Sequence, residues 1–143
     1  MLKRPLHAQF GPKVLADLKR TTIRDTPWPL GKPIMLYHWT GKPYRSPQQD
    51  VVAVEAVFTC PMRITHTRMG LHYLFSPHNL RSLCDHLRLA VEKVHLWQIE
   101  GFDSRDAMDA WFRPLIKHGQ TVEKHLMLFK LLPTKNEEQP TKN

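Results

Sequence analysis

The clearest pattern along the chain is the run at 51–60, where eight of ten positions are apolar and many are valine. β-Branched side chains suit the pleated backbone, so this run predicts the strongest strand. Residues 32–39 predict an earlier strand, with Ile34, Leu36 and His38 alternating onto one face. Shorter strand signals fall at 21–24 and 125–132, and residues 63–67 with 71–75 read as a strand or hairpin. Helical spacing occupies the remainder. Gly11-Pro12 opens a short helix over 12–18, carrying Val14, Leu15 and Leu18. Asn79 is placed to cap a helix reaching about residue 96, with Leu80, Leu83, Leu87, Val91 and Val94 as its stripe. Asp103 or Ser104 is placed to cap another, in which Met108, Trp111, Phe112 and Leu115 share one face and Pro114 sets a limit. Strands near both ends with two helices between them, and no regular βαβ alternation, predict an α+β domain with a curved or closed sheet.

Length and composition fit that picture. A chain of 143 residues with 41% hydrophobic content suits one domain with a real core. Residues 1–133 are expected to form it, and 134–143, whose only apolar residue is a proline, to fray. The prolines at 27, 29, 33, 43 and 47 mark loops rather than linkers. The longest apolar runs, such as 126–129, are far too short for a bilayer, and no apolar stretch follows the first residues. Cys60 and Cys84 form no CxxC pair. A cytoplasmic protein without a membrane partner is therefore expected.

Charge adds a direction. The net charge is +8, but residues 1–72 hold eleven Lys or Arg against four Asp or Glu, while residues 73–143 hold ten against nine. A basic half beside a near-neutral half suggests an anionic partner approached from one side, and nucleic acid is the commonest such partner. A solvated basic surface accounts for the charge equally well.

Chemistry concentrates in Lys19-Arg20-Thr21-Thr22-Ile23-Arg24, a run without an acidic residue. In an extended segment Thr22 and Arg24 point to one face and Ile23 to the other. An ammonium, a hydroxyl and a guanidinium then converge on one patch. Lys and Arg together suit phosphate. A desolvated Lys can also act as a base toward a Thr hydroxyl, with Arg24 steadying an oxyanion and Glu100 supplying a supporting acid. The spacing K-x-x-T alone does not separate these readings from a solvated Lys beside a strand Thr.

The stretch from Val14 to Asp25, together with Glu100-Gly101-Phe102-Asp103-Ser104 ahead of a helix and Leu30-Gly31-Lys32-Pro33-Ile34 ahead of a strand, resembles the ASCH domain family. That family typically reads G-x-K-x-x-T-x-R and then an acidic residue next to Gly-Phe. Here Asp17 stands where Gly is usual, at a position where Gly permits a left-handed turn. The resemblance runs from about residue 5 to 132, and residues 61–95 match least and suggest an insertion. It implies a PUA-like fold, a small β-barrel with flanking helices and a cleft over the Lys–Thr–Arg strand. It implies binding of RNA or a modified nucleoside. In the branch of N(4)-acetylcytidine amidohydrolases it implies amide hydrolysis, with Lys19, Thr22 and Glu100 matching the catalytic set. Another branch implies ribonuclease activity, and a binding module without catalysis is the remaining alternative.

Arg24, Arg20 and Arg63 are further candidates to meet the ligand. Trp28 and Tyr44, in proline-rich loops, are the candidates for stacking a base. Trp97 and Trp111 are expected to pack the helices. Nine histidines are scattered without HExxH or a tight cluster, so neither a metal nor a cofactor is expected.

Overall fold

In the computed structural model, which describes residues 1–88 and 95–133, one strand organises the rest. This is β4, Gln48–Thr67, twenty residues long. The predicted 51–60 run is its middle, and the first arm of the predicted hairpin is its end. β3 (Pro33–Trp39) pairs antiparallel with its first part, β6 (Thr121–Leu131) with residues 54–65, and β5 (Gly70–Leu74) with its last five residues. β1 (Leu2–Pro5) lies parallel to β3, and β2 (Thr21–Arg24) antiparallel to β6. The strand order is β1-β3-β4-β6-β2, with β5 beside β4.

The architecture is thus α+β, as expected, but the sheet is not closed. β1 and β2 end the path and share no ladder among the described residues. The closed barrel predicted from the resemblance is corrected on this point. A side chain crosses the gap instead: the Arg24 guanidinium on β2 donates to the Pro5 carbonyl on β1 at 2.7 Å.

The helices are short. α1 (Gly11–Leu15) has Pro12 in its first turn and buries Val14, whereas Leu15 and Leu18, predicted to share its apolar stripe, are exposed. α2 spans Pro77–Leu87. Its cap is Ser76, not Asn79; the Ser76 hydroxyl accepts from the Asn79 N–H at 3.2 Å. Arg88 then takes a left-handed conformation that stops the helix, and Val91 and Val94 lie outside the described residues. The predicted tail at 134–143 also lies outside them. α3 (Leu96–Ile99) is a single turn, and α4 (Arg105–Phe112) is capped by Ser104, whose hydroxyl accepts from the Ala107 N–H. Pro114 sits in a 3-10 turn after α4, and Leu115 is exposed there rather than continuing the predicted face.

The core combines both faces of β4 with β6. Val54, Ala56, Ile64, Leu126 and Met127 are fully enclosed. Met108 and Phe112 bring α4 onto it, and Tyr73 on β5 donates to Asp109 on α4 at 2.7 Å. Residues 61–67, inside the stretch read as an insertion, continue β4 without a break. No helix among the described residues is long and apolar enough to cross a membrane.

Candidate functional site

The gap between β1 and β2 holds a cavity of about 330 Å³. Pro5, Leu6 and His7 line it from the end of β1, and Thr22, Ile23 and Arg24 from β2. Lys19 and Glu100 supply buried charge, and Phe10, Trp39, Phe102, Trp111 and Phe112 supply aromatic walls.

Local chain geometry explains how Lys19 arrives there. α1 ends at a left-handed residue, Asp17, with φ 59°. The Leu18 and Lys19 N–H groups then both fold back onto the Lys13 carbonyl. This is the position where the family pattern has Gly, and the left-handed turn is made here by Asp, which tolerates it better than most residues. Arg20 is clamped on both sides: its N–H donates to the Ile99 carbonyl, and its carbonyl accepts from Phe129. Between these anchors the Lys19 side chain passes beneath Gly101. A Cβ on Gly101 would lie only 3.0 Å from the Lys19 stem, and its φ of +93° favours glycine in any case. The Glu-Gly-Phe signature therefore has a physical meaning. Glu100 provides charge, Gly101 makes room for the Lys19 stem, and Phe102 packs edge-on against Phe10 at 5.2 Å.

Lys19 is only 4% exposed. Its ammonium donates to the Thr21 and Glu100 carbonyls, each at 2.7 Å, and lies 4.8 Å from the Phe10 ring centre. The Glu100 carboxylate is 3.8 Å away. Burial pushes the Lys19 pKa down to about 8; Glu100 opposes the shift and Arg24 adds to it. Burial also lowers the Arg24 pKa, against the opposing charge of Glu100, yet a guanidinium keeps its proton.

The predicted convergence is met in part. Lys19, Thr22, Arg24 and Glu100 do line one cavity. Thr22 and Arg24 do share a face: the Arg24 Nε donates to the Thr22 hydroxyl oxygen at 2.8 Å. The partner of Glu100, however, is Thr21, whose hydroxyl donates to the carboxylate at 2.5 Å. No hydrogen bond joins Lys19 to Thr22 among the described residues. The K-x-x-T spacing points to Thr22 and carries no sign of Thr21; the strand alternation that sends Thr22 toward Arg24 sends Thr21 the other way. His7 and Phe10 also wall the cavity, from upstream of the motif where no local signal marks them, and Phe102 enters it as part of the Glu-Gly-Phe signature.

Other candidates lie elsewhere. Trp28 is 3% exposed, beneath the Arg24 guanidinium and against Phe129. Its predicted surface position is corrected: the proline-rich loop folds the indole into the core. Arg63 is exposed on the far part of β4, paired with Glu123 at 2.9 Å. Arg20 does not line the cavity. Tyr44 is exposed as predicted, and its ring lies 5.1 Å from that of Trp39 at the cavity edge. Trp97 and Trp111 pack against the core. Among the described residues no group of three or more His, Cys, Asp or Glu is placed to hold a metal.

The arrangement can bind a flat, partly polar ligand between aromatic walls and present it with an amine, a hydroxyl and a guanidinium. No family model matches the sequence, and neither curated proteins nor solved structures give a match.

Proposed function

We propose that the protein is an amidohydrolase of the ASCH type, with a PUA-like fold, acting on an acylated cytidine nucleoside or a closely similar base. The observation that carries this reading is the meeting of Lys19, Thr22, Arg24 and Glu100 in one aromatic-walled cavity of about 330 Å³. That space suits a nucleobase with its acyl group, and the aromatic rings suit its faces.

Thr22 is the nucleophile. Its oxygen already accepts from Arg24, so an alkoxide forming there meets a fixed cation. Lys19 is the base. A neutral amine has two N–H bonds, and the Thr21 and Glu100 carbonyls accept both, which turns the nitrogen lone pair toward the third tetrahedral direction. With a pKa of about 8, a useful share of Lys19 is neutral near physiological pH. Lys19 takes the Thr22 proton as the Thr22 oxygen bonds to the acyl carbon. The carbon–nitrogen bond then breaks, and the leaving exocyclic nitrogen receives that proton back. Water, deprotonated by the same amine, attacks the acyl carbon; the ester bond to Thr22 breaks, Lys19 returns the proton to the Thr22 oxygen, and the carboxylic acid leaves. Glu100 acts through Lys19, holding its charge balance, and the Thr21 hydroxyl holds Glu100.

Acetate release from N(4)-acetylcytidine tests this. The purified protein is expected to release acetate at a rate that rises with pH through a midpoint of about 8, as Lys19 loses its proton. Lys19→Ala and Thr22→Ala are each expected to lose on the order of a hundredfold or more. Turnover that survives both substitutions removes these roles.

A further inference from the structure

One exposed aromatic residue has no place in the core. Tyr44 is 88% exposed and sits at φ 64°, a left-handed conformation that a bulky side chain rarely adopts. The surrounding loop is nevertheless held firmly. The Thr40 N–H donates to the Pro47 carbonyl, the Gly41 N–H to the Ser46 hydroxyl, and that hydroxyl to the Lys42 carbonyl, each at 2.9 Å. A tight loop thus presents a strained residue whose ring contributes little burial. Such strain persists where the surroundings over-determine it, and it is a common mark of ligand sites.

What the ring faces gives it a role. It lies 5.1 Å from Trp39, tilted by 46°, and Trp39 lines the Lys19–Thr22 cavity. Trp39 in turn meets Tyr37 edge-on at 5.7 Å. The aromatic surface therefore runs outward from the cavity to the loop tip without interruption. Cations gather at the loop tip, where Lys42 and Arg45 flank Tyr44, both exposed, while Asp50, opposite Tyr37 in the sheet, is paired with Lys3 at 2.9 Å. Arg4, whose charge acts on Arg24, adds a cation at the β1 side. A planar platform beside a base-sized cavity, rimmed by cations, matches the recurring unit of a single strand, in which bases alternate with phosphates.

We propose that the cavity takes its nucleotide from within single-stranded RNA, with a neighbouring base stacked on Tyr44 and the adjoining phosphates met by Lys42 and Arg45. This rests on the nucleoside reading of the cavity and names the form in which the substrate arrives. A free nucleoside would leave the platform empty.

The experiment measures binding separately from hydrolysis. A fluorescein-labelled RNA pentamer, four uridines around a central N(4)-acetylcytidine, is titrated with the full chain and followed by anisotropy. Tyr44→Ala and Tyr44→Gly are each expected to weaken binding about tenfold, the scale of one lost base stack. The glycine variant also relieves the left-handed backbone, so a loss there cannot come from strain. Replacing Lys42 and Arg45 by Gln together is expected to flatten the salt dependence of binding. Tyr44 variants that bind like the wild type, or a pentamer that does not bind, overturn the proposal. Tyr44-dependent binding without acetate release supports it while removing the hydrolase reading. Acetate release from the free nucleoside with pentamer binding indifferent to Tyr44 does the reverse.

Discussion

At the centre of the sheet, Val54, Ala56, Ile64, Leu126 and Met127 are enclosed side by side, and their side chains carry only carbon and sulfur. At the open end, between β1 and β2, Lys19, Thr21, Thr22 and Glu100 are enclosed among apolar neighbours such as Leu6, Phe10 and Phe102. Both regions have lost water, but they are held differently. The centre is stabilised by removing apolar surface, which has no direction and no pH dependence. Each group at the open end needs one particular partner at one distance, because a buried polar atom without one is costly. Lys19 illustrates the difference: its stem packs under Gly101, but its ammonium is held by two carbonyls. A region built this way adds less to stability than its burial suggests, and it keeps reactive groups in fixed positions.

The largest expected effect separates the two regions by pH. The Lys19 pKa is about 8 in the folded protein against 10.5 for an ordinary lysine. Below pH 8 both folded and unfolded chains carry the proton, and the full cost of burying the cation is present. Between pH 8 and 10.5 the unfolded chain holds a proton that the folded chain has lost, so stability from this group rises with pH. The gain across that window is about 3 kcal/mol. Urea unfolding of wild type and Lys19→Met from pH 7 to 10.5 is expected to show the difference between them move in favour of wild type by about that amount. Leu126→Ala, which opens a cavity at the centre, is expected to cost about 3 kcal/mol at every pH. A Lys19→Met difference as flat as that of Leu126→Ala would place Lys19 with the ordinary packing residues.

A smaller effect divides the open end itself. Thr21 and Thr22 are neighbours, but Thr21 donates to the Glu100 carboxylate and Thr22 accepts from Arg24. Thr21→Val leaves a fully buried carboxylate oxygen short of a donor and is expected to cost about 1–3 kcal/mol, read as a lower urea midpoint. Its turnover should keep a pH midpoint, displaced from that of wild type because Glu100 no longer holds Lys19 in the same way, and Thr21→Ser should restore it. Thr22→Val is expected to abolish acetate release with a smaller stability loss, because the Arg24 guanidinium keeps its bond to Pro5. Equal stability losses, or turnover surviving Thr22→Val, would exchange the roles of the two hydroxyls.

Much of this was legible along the chain. The β-branched run at 51–60, the Thr-Thr-Ile-Arg strand and a cap at Asp103 or Ser104, which the structure gives to Ser104, are local features that local physics reaches. The pairing of Lys19 with Glu100, eighty-one positions apart, was suggested by two short motifs and depends on Gly101 leaving space, which the motif contains. What stayed hidden needed three dimensions. Trp28 read as a loop aromatic, yet its indole covers Phe129. The cap is different: Ser76 before Pro77, the first residue of the helix, is a local start signal that Asn79, three residues on, obscured. The sheet's opening could not be read because no residue pattern distinguishes an unpaired edge from a closing one. The gap became visible only where Arg24 crosses it to Pro5.

The smallest effect reverses the sign of a change already described. Thr59 lies on β4 opposite Met127, and its hydroxyl is the one buried side-chain polar atom without a hydrogen-bond partner among the described residues. Thr59→Val replaces that hydroxyl by a methyl of nearly the same size in apolar surroundings. It is expected to stabilise the protein by about 1 kcal/mol, seen as a higher urea midpoint with an unchanged slope. Thr21→Val is the same exchange of atoms in the same sheet, with the opposite expected sign. Both hydroxyl oxygens are out of water, but Thr21 has a carboxylate partner and Thr59 has none, so measured side by side the two variants test what a partner contributes. Midpoints that move together would mean that burial alone governs both regions, and the partners of the open end would then count for nothing beyond the space they fill.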